Sequence, residues 1–238
     1  MGRPDATDMS NPLDDNAAAR DAILARVRAA LAQAGKQPQP AAARAARIAR
    51  RAHGPRPAMP ADLVSRFLQR ATDMASTVER LPSHAAIPTA VARYLDALVL
   101  PAAIAAQKSH RGVCWPEFAD LDWRGAGLEI EPRPTAGDDR LGITGCLCAI
   151  AETGTIVVTS SPATPTATTL LPDTHVVVVR EGDVVAGMEE AFARVRARHD
   201  GIPRAINMIS GPSRTGDIEQ TIVLGAHGPF RVHVLLVP

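Results

Sequence analysis

Three successive stretches decide the fold: HVVVVR at residues 175–180, GDVVAGMEEAFARVRARHDG at 182–201 and RAINMIS at 204–210. The first and third are short, rich in Val and Ile, and apolar without strict alternation. That is the texture of strands covered on both faces, as in a parallel or mixed sheet flanked by helices. Between them Val184, Val185, Met188, Ala191, Phe192 and Val195 share one helical face. Asp183 is the candidate N-cap and Gly201 closes the run. The pattern predicts a β-α-β unit with the usual right-handed crossover. Similar apolar runs are LVLPAAIAA (98–106), GLEIE (127–131), GTIVVTS (154–160), QTIVLG (220–225) and RVHVLLV (231–237). The last two flank GAHGPF and read as a hairpin or a short crossover. The class is therefore α/β, a mixed, mostly parallel sheet flanked by helices.

Upstream the periodicity is helical. Asn11-Pro12 read as N-cap and first helical position, and Ile23, Val27, Ala30, Leu31 and Ala34 follow at helical spacing until Gly35. Leu63, Val64, Phe67, Leu68, Ala71 and Met74 form a second pattern. Val91, Tyr94, Leu95 and Leu98 form a third, starting near Pro88. Residues 36–60 are rich in Pro, Ala and Arg, and Arg44, Arg47, Arg50 and Arg51 have no acidic neighbour. Such a run reads as a solvated linker or helix face, or as a docking segment for an acidic partner or phosphate. The expected organisation is a leader, helix and Pro/Arg-rich linker over 1–58, then an α/β domain over 59–238.

Composition narrows the function classes. A chain of 238 residues can bury a sizeable core. Its formal net charge of +1 argues against nucleic-acid binding through a broad basic field. At 3% aromatic residues, base-stacking platforms are also disfavoured. No run of about 18 apolar residues exists to span a membrane. The polar start MGRPDATDMSNPLDD lacks the apolar core of a signal peptide. Three cysteines make no disulfide framework. The expectation is a cytoplasmic chain without nucleic-acid or membrane partners. The neutral total conceals an asymmetry: residues 1–58 carry a net +5, and the remainder a net −4.

Chemistry concentrates in a few segments. Gly142-Ile143-Thr144-Gly145 is a polar interruption of the sheet region, and Glu152-Thr153-Gly154-Thr155 leads into IVVTS. The strand RAINMIS runs into Ser210-Gly211-Pro212-Ser213-Arg214-Thr215. Hydroxyls, free backbone N–H groups and one guanidinium at a strand end suit a phosphate or carboxylate, and a helix starting near Ser213 would add its positive end. Asp217 and Glu219 lower the local positive potential. The competing reading is a structural turn, with glycine and proline setting backbone shape and hydroxyls capping. Glu152 is a candidate general base, nucleophile or loop anchor, and His227 a candidate acid/base or phosphate contact. His175 and His233 read as structural. Cys146-x-Cys148 cannot complete a four-ligand zinc or iron–sulfur site alone, so no metal and no cofactor is expected in this chain. Nucleophile-elbow, P-loop and GxGxxG patterns are absent.

AIAETGTIVV (149–158), LLPDTHVVVV (170–179) and ISGPSRTGDIEQTIVLGAHGPFRVHVLLV (209–237) resemble the LUD-domain family, most closely its LutC/YkgG group. RDAILARVRAAL (20–31) is similar to that group's opening helix. The resemblance implies a fold like the sugar-phosphate isomerase and CoA-transferase (NagB/RpiA-like) superfamily. It implies a role in oxidising L-lactate to pyruvate with two partner proteins that carry iron–sulfur and redox motifs. Relatives often have a basic residue shortly before Leu-Leu-Pro, where this chain has Ala167-Thr168-Thr169. The expected site binds a small anion through Thr144, Thr153, Gly154, Thr155, Ser210, Gly211, Ser213, Arg214 and Thr215, with Glu152 or His227 moving a proton. The alternatives are a stand-alone sugar-phosphate isomerase or acyl/CoA-transfer enzyme on this scaffold, and a non-catalytic scaffold subunit. Homo-oligomerisation stays open.

Overall fold

The computed structural model describes residues 12–33, 40–98, 110–198, 201–218 and 221–238. The expectations resting on Asn11, Ala34, Gly35, most of LVLPAAIAA and Glu219 lie outside them. The chain divides into two compact units, Met1–Arg56 and Pro57–Pro238. In the first, α1 spans Pro12–Gln33 and α2 spans Ala41–Arg50. The apolar positions Ile23, Val27 and Leu31 of α1 are exposed. Arg44, Arg47 and Arg50 lie on α2, and Arg51 caps it in a left-handed conformation.

The second unit is built on a wholly parallel sheet of six strands. Their order is β1 (Thr77–Arg80), β12 (Arg231–Val237), β7 (Thr174–Arg180), β4 (Leu141–Thr144), β2 (Arg111–Cys114) and β3 (Glu129–Glu131). Residues 174–179 of β7 and 232–237 of β12 are buried without interruption, which accounts for their lack of alternation. Helices α3 (Leu63–Asp73) and α4 (Ile87–Ala97) bury Phe67, Ala71, Ile87, Val91 and Leu95 in the same core. Asp62 caps α3 by accepting from Ser65 N at 2.9 Å.

A second sheet has the order β8 (Val184–Val185), β5 (Cys148–Ile150), β6 (Thr155–Thr159) and β9 (Ile206–Ile209). Its β5–β6 and β6–β9 pairs are antiparallel, and β5–β8 is parallel. Ala149, Ala151, Ile156 and Val158 join the main core. Cys148, Ile150 and Val157 turn instead to Ala191 and Val195 of α5 (Met188–Arg198). Two-residue periodicity thus serves two cores at once. A separate antiparallel pair, β10 (Arg214–Ile218) and β11 (Thr221–Leu224), completes the strands.

Several local expectations are corrected. HVVVVR and RAINMIS are strands, but they lie in different sheets. Val184 and Val185 form β8 rather than the start of a helix, so the chain enters the second sheet before α5 begins. The crossover therefore runs β8–α5–β9. Asp183 is not the N-cap; it accepts from Arg194 Nη1 at 2.6 Å, while Glu190 accepts from Gly187 N at 3.0 Å, half of a capping box. No helix starts near Ser213, because Arg214 opens β10, and the positive helix end expected there does not exist. Finally, β11 and β12 are neither a hairpin nor neighbours: β11 pairs with β10, and β12 enters the parallel sheet. Gly142–Thr144 likewise belongs to β4 and is buried.

His175 and His233 are buried within this core. The Thr144 hydroxyl donates to Gly145 O at 3.0 Å, so His175 Nε2, 2.8 Å away, donates to it. Tyr94 stacks on His233 with centroids 4.0 Å apart, and Thr77 Oγ1 lies 2.8 Å from its Nδ1. Burial lowers His175 from 6.5 to about 3 and His233 to about 4. Both rings stay neutral when folded but bind protons when unfolded below about pH 6.5, so stability falls as pH falls. Each histidine contributes up to about 1.4 kcal/mol per pH unit of that loss, until the folded ring itself titrates. Urea unfolding measured from pH 7 to 4 should show this decline, with a shallower slope in His233→Gln. An unchanged slope would count against the assignment.

Candidate functional site

The Thr153–Thr155 segment enters the site through the β5–β6 hairpin. Ile150 and Thr155 are its last pair, and Gly154 N donates to Ile150 O at 2.9 Å to close the turn. Because Ile156 pairs with Ile209, the next residues, Thr155 and Ser210, come side by side. Their hydroxyls are 2.7 Å apart, and Thr153 Oγ1 lies 2.6 Å from Thr155 Oγ1. Three hydroxyls from two distant segments thus form one chain, with Thr155 buried.

Two glycines make this approach possible. Gly154 has φ of 70° and Gly211 of 78°, a region that disfavours residues with a Cβ. Both press on the C-terminal turn of α3: a Cβ on Gly154 would lie 2.5 Å from Ala71 N, and one on Gly211 would overlap Met74 O. That turn ends where Ala75 takes a positive φ of 64°. The last turn of α3 therefore holds both loops, a role that no local motif in residues 70–75 announces.

The remaining candidates fall into separate places. Ser213 is bound by its backbone to Pro229 and Gly225, and its hydroxyl accepts from His227 N at 3.3 Å. The β10–β11 pair so brings Ser213, Arg214 and His227 together at one end, with Arg214 and His227 exposed and Thr215 buried. Glu152 sits on the β5–β6 turn, its backbone N–H donating to Ala186 O at 3.1 Å. Among the described residues its carboxylate accepts no backbone N–H. Thr144 lies in the parallel sheet, fully buried, with its hydroxyl committed to His175 and Gly145.

Burial pushes the Cys114 thiol up to about 12, Cys148 to about 11, and Cys146 well above the usual thiol range. All three are protonated thiols at neutral pH and poor nucleophiles. Among the described residues no group of three or more His, Cys, Asp or Glu converges to hold a metal ion. No helix among them is long and apolar enough to cross a membrane.

The arrangement has recognisable relatives. A family described as the LUD domain matches residues 117–237. A lactate utilization protein C from Deinococcus radiodurans is 36% identical over 194 residues, covering 77% of this chain and 89% of that protein. Another so named, from Bacillus licheniformis, is 33% identical over 127 residues, and this chain spans only 53% of its length. The crystal structure of a DUF162 family protein from Deinococcus radiodurans superposes with a TM-score of 0.54 at 25% identity, over 76% of this chain and all of that one.

Replacing Gly211 by Ala should cost roughly 2–4 kcal/mol, from the positive φ and the collision with Met74. A double-mutant cycle of Thr155→Val with Ser210→Ala should give a coupling near 1 kcal/mol. Thermal and urea denaturation measure both, and an additive cycle would deny the hydroxyl pair any energetic role.

Proposed function

Since this chain belongs to the LUD domain family, we propose that it serves in lactate utilization, as a component of the oxidation of L-lactate to pyruvate. The observation that carries the reading is its 36% identity to the Deinococcus radiodurans lactate utilization protein C over 89% of that protein. In this reading two partner proteins hold the iron–sulfur clusters that carry the electrons. That division follows the cysteine spacing, in which Cys146-x-Cys148 cannot complete a four-ligand cluster site alone.

This chain's part is to bind a small anion at its strand-end loops. Thr153, Thr155 and Ser210 supply a preorganised row of hydroxyls whose backbone is clamped by α3. In this reading Arg214, at the start of β10, supplies a guanidinium, and Glu152 or His227 moves the proton. A carboxylate meeting several donors on a rigid frame loses little entropy on binding. The scaffold reading draws on the same glycines, since loops clamped this tightly also suit a purely structural part.

Deleting the gene should abolish growth on L-lactate but not on pyruvate, and the intact gene should restore it. Complementation with Glu152→Gln or Arg214→Ala should slow growth at least several-fold at unchanged protein level. Full growth with both variants would leave the scaffold role standing, and growth of the deletion strain on L-lactate would remove the lactate role itself.

A further inference from the structure

Helix α1 of the first unit leaves its apolar side open. A helix of 22 residues is marginal in water by itself, and packing of one apolar face is what normally holds it. In α1 that face is Ile23, Leu24, Val27 and Leu31, which fall within a sector of about 100° around the helix axis. Ile23, Val27 and Leu31 are 60%, 49% and 46% exposed, and Leu24 is half-buried. Helix α2 of the same unit buries none of its own residues, and its Ile48 is exposed as well. Arg20 shares the sector of the stripe; an arginine is compatible with an interface there, because its stem is apolar and its head reaches the rim.

The charges beside the stripe select what fits on it. From residue 12 to 21 the helix carries three Asp and one Arg, and from 22 to 33 it carries two Arg and no acid. That gradient suits the helix macrodipole and points by itself to no partner. The placement of Asp21 and Arg28 is more specific. They stand seven residues apart, so they lie nearly in line along one border of the stripe. Both are exposed. Asp21 has only a loose 3.8 Å contact with its neighbour Arg20, the two side chains being 76% and 75% exposed. Among the described residues Arg28 has no acidic partner. A second copy lying antiparallel across the stripe sets Asp21 beside the partner's Arg28, and Arg28 beside the partner's Asp21. One contact is then made twice about a two-fold axis. A parallel copy would oppose like charges at both places, and a partner of uniform charge would be repelled at one of them.

We propose that α1 pairs antiparallel with α1 of a second copy of this chain, through Ile23, Leu24, Val27 and Leu31, with an Asp21–Arg28 pair at each end. The apolar stripe supplies the affinity. The exposed ion pairs, individually weak, choose the direction. A stripe this short makes a dimer that dissociates on dilution rather than an obligate one. The pairing is independent of the lactate reading, which concerns loops of the second unit.

Sedimentation velocity of the full chain over about a hundredfold range of concentration tests the pairing. The mass should move from monomer towards dimer as concentration rises. Val27→Asp, which puts a carboxylate inside the stripe, should weaken the dimer by roughly tenfold or more. Asp21→Arg and Arg28→Asp should each weaken it by about threefold to tenfold, because like charges then meet at both ends. Mixed in equal amounts, these two variants should pair with each other more tightly than either does with itself. The chain carrying both reversals should dimerise as the parent does. Thermal denaturation checks the fold of each variant, and the mixing experiment does not depend on Val27→Asp keeping its helix. The proposal is overturned if the full chain stays monomeric throughout, if Val27→Asp dimerises as the parent does, or if the mixed reversals associate no better than each alone.

Discussion

The parallel pairing of β12 with β7 is the constraint on which the second unit depends. It joins Arg231–Val237 to Thr174–Arg180 along seven positions. On its other side β12 is the partner of β1. Remove β12 and, among the described strands, β1 has nothing to pair with. Leu235, Leu236 and Val234 would leave the core together, and each such side chain contributes about 1.5–3 kcal/mol by burial. A C-terminal strand inserted between two earlier ones also makes the sheet a non-local structure, whose contacts form only after long loops close.

The candidate loops depend on this sheet at one remove. The main core buries Phe67 and Ala71 of α3, which fixes the helix against the sheets. Its last turn then meets Gly154 and Gly211, and those contacts hold Thr155 and Ser210 within hydrogen-bonding distance. Geometry at the hydroxyl row is thus set by apolar packing well outside it, the supporting arrangement that binding sites generally need.

Much of this was legible in the residues, and the failures have physical causes. Val176–Val179 and Val234–Leu236 read as two-face-buried strands, because composition reports burial directly. The helix carrying Ala191 and Val195 was evident from its period. Its start was not: Val184 and Val185 satisfy both a helical face and a strand, and periodicity over two residues cannot separate them. Asp183 has the chemistry of an N-cap, yet Arg194 claims it from within the helix. The segment after RAINMIS carried the right polar residues, but its glycines and hydroxyls suit a hairpin as well as a helix start. Thr155 and Ser210 were each singled out, although their pairing across 55 positions was not.

By itself the sequence determined what depends on local pattern. That comprises the α/β class, the central strands, the helices that flank them, and the motifs linking the second half to the LUD domain family. Tertiary structure alone decided which strands share a sheet, where the chain changes sheet, and which polar residues meet. The reason is that hydrophobic periodicity records whether a residue is buried and on which face, but not against what. Partner choice is settled by register and by close backbone approach, as at Gly154 and Gly211, where the absence of a Cβ matters only once the opposing chain is in position.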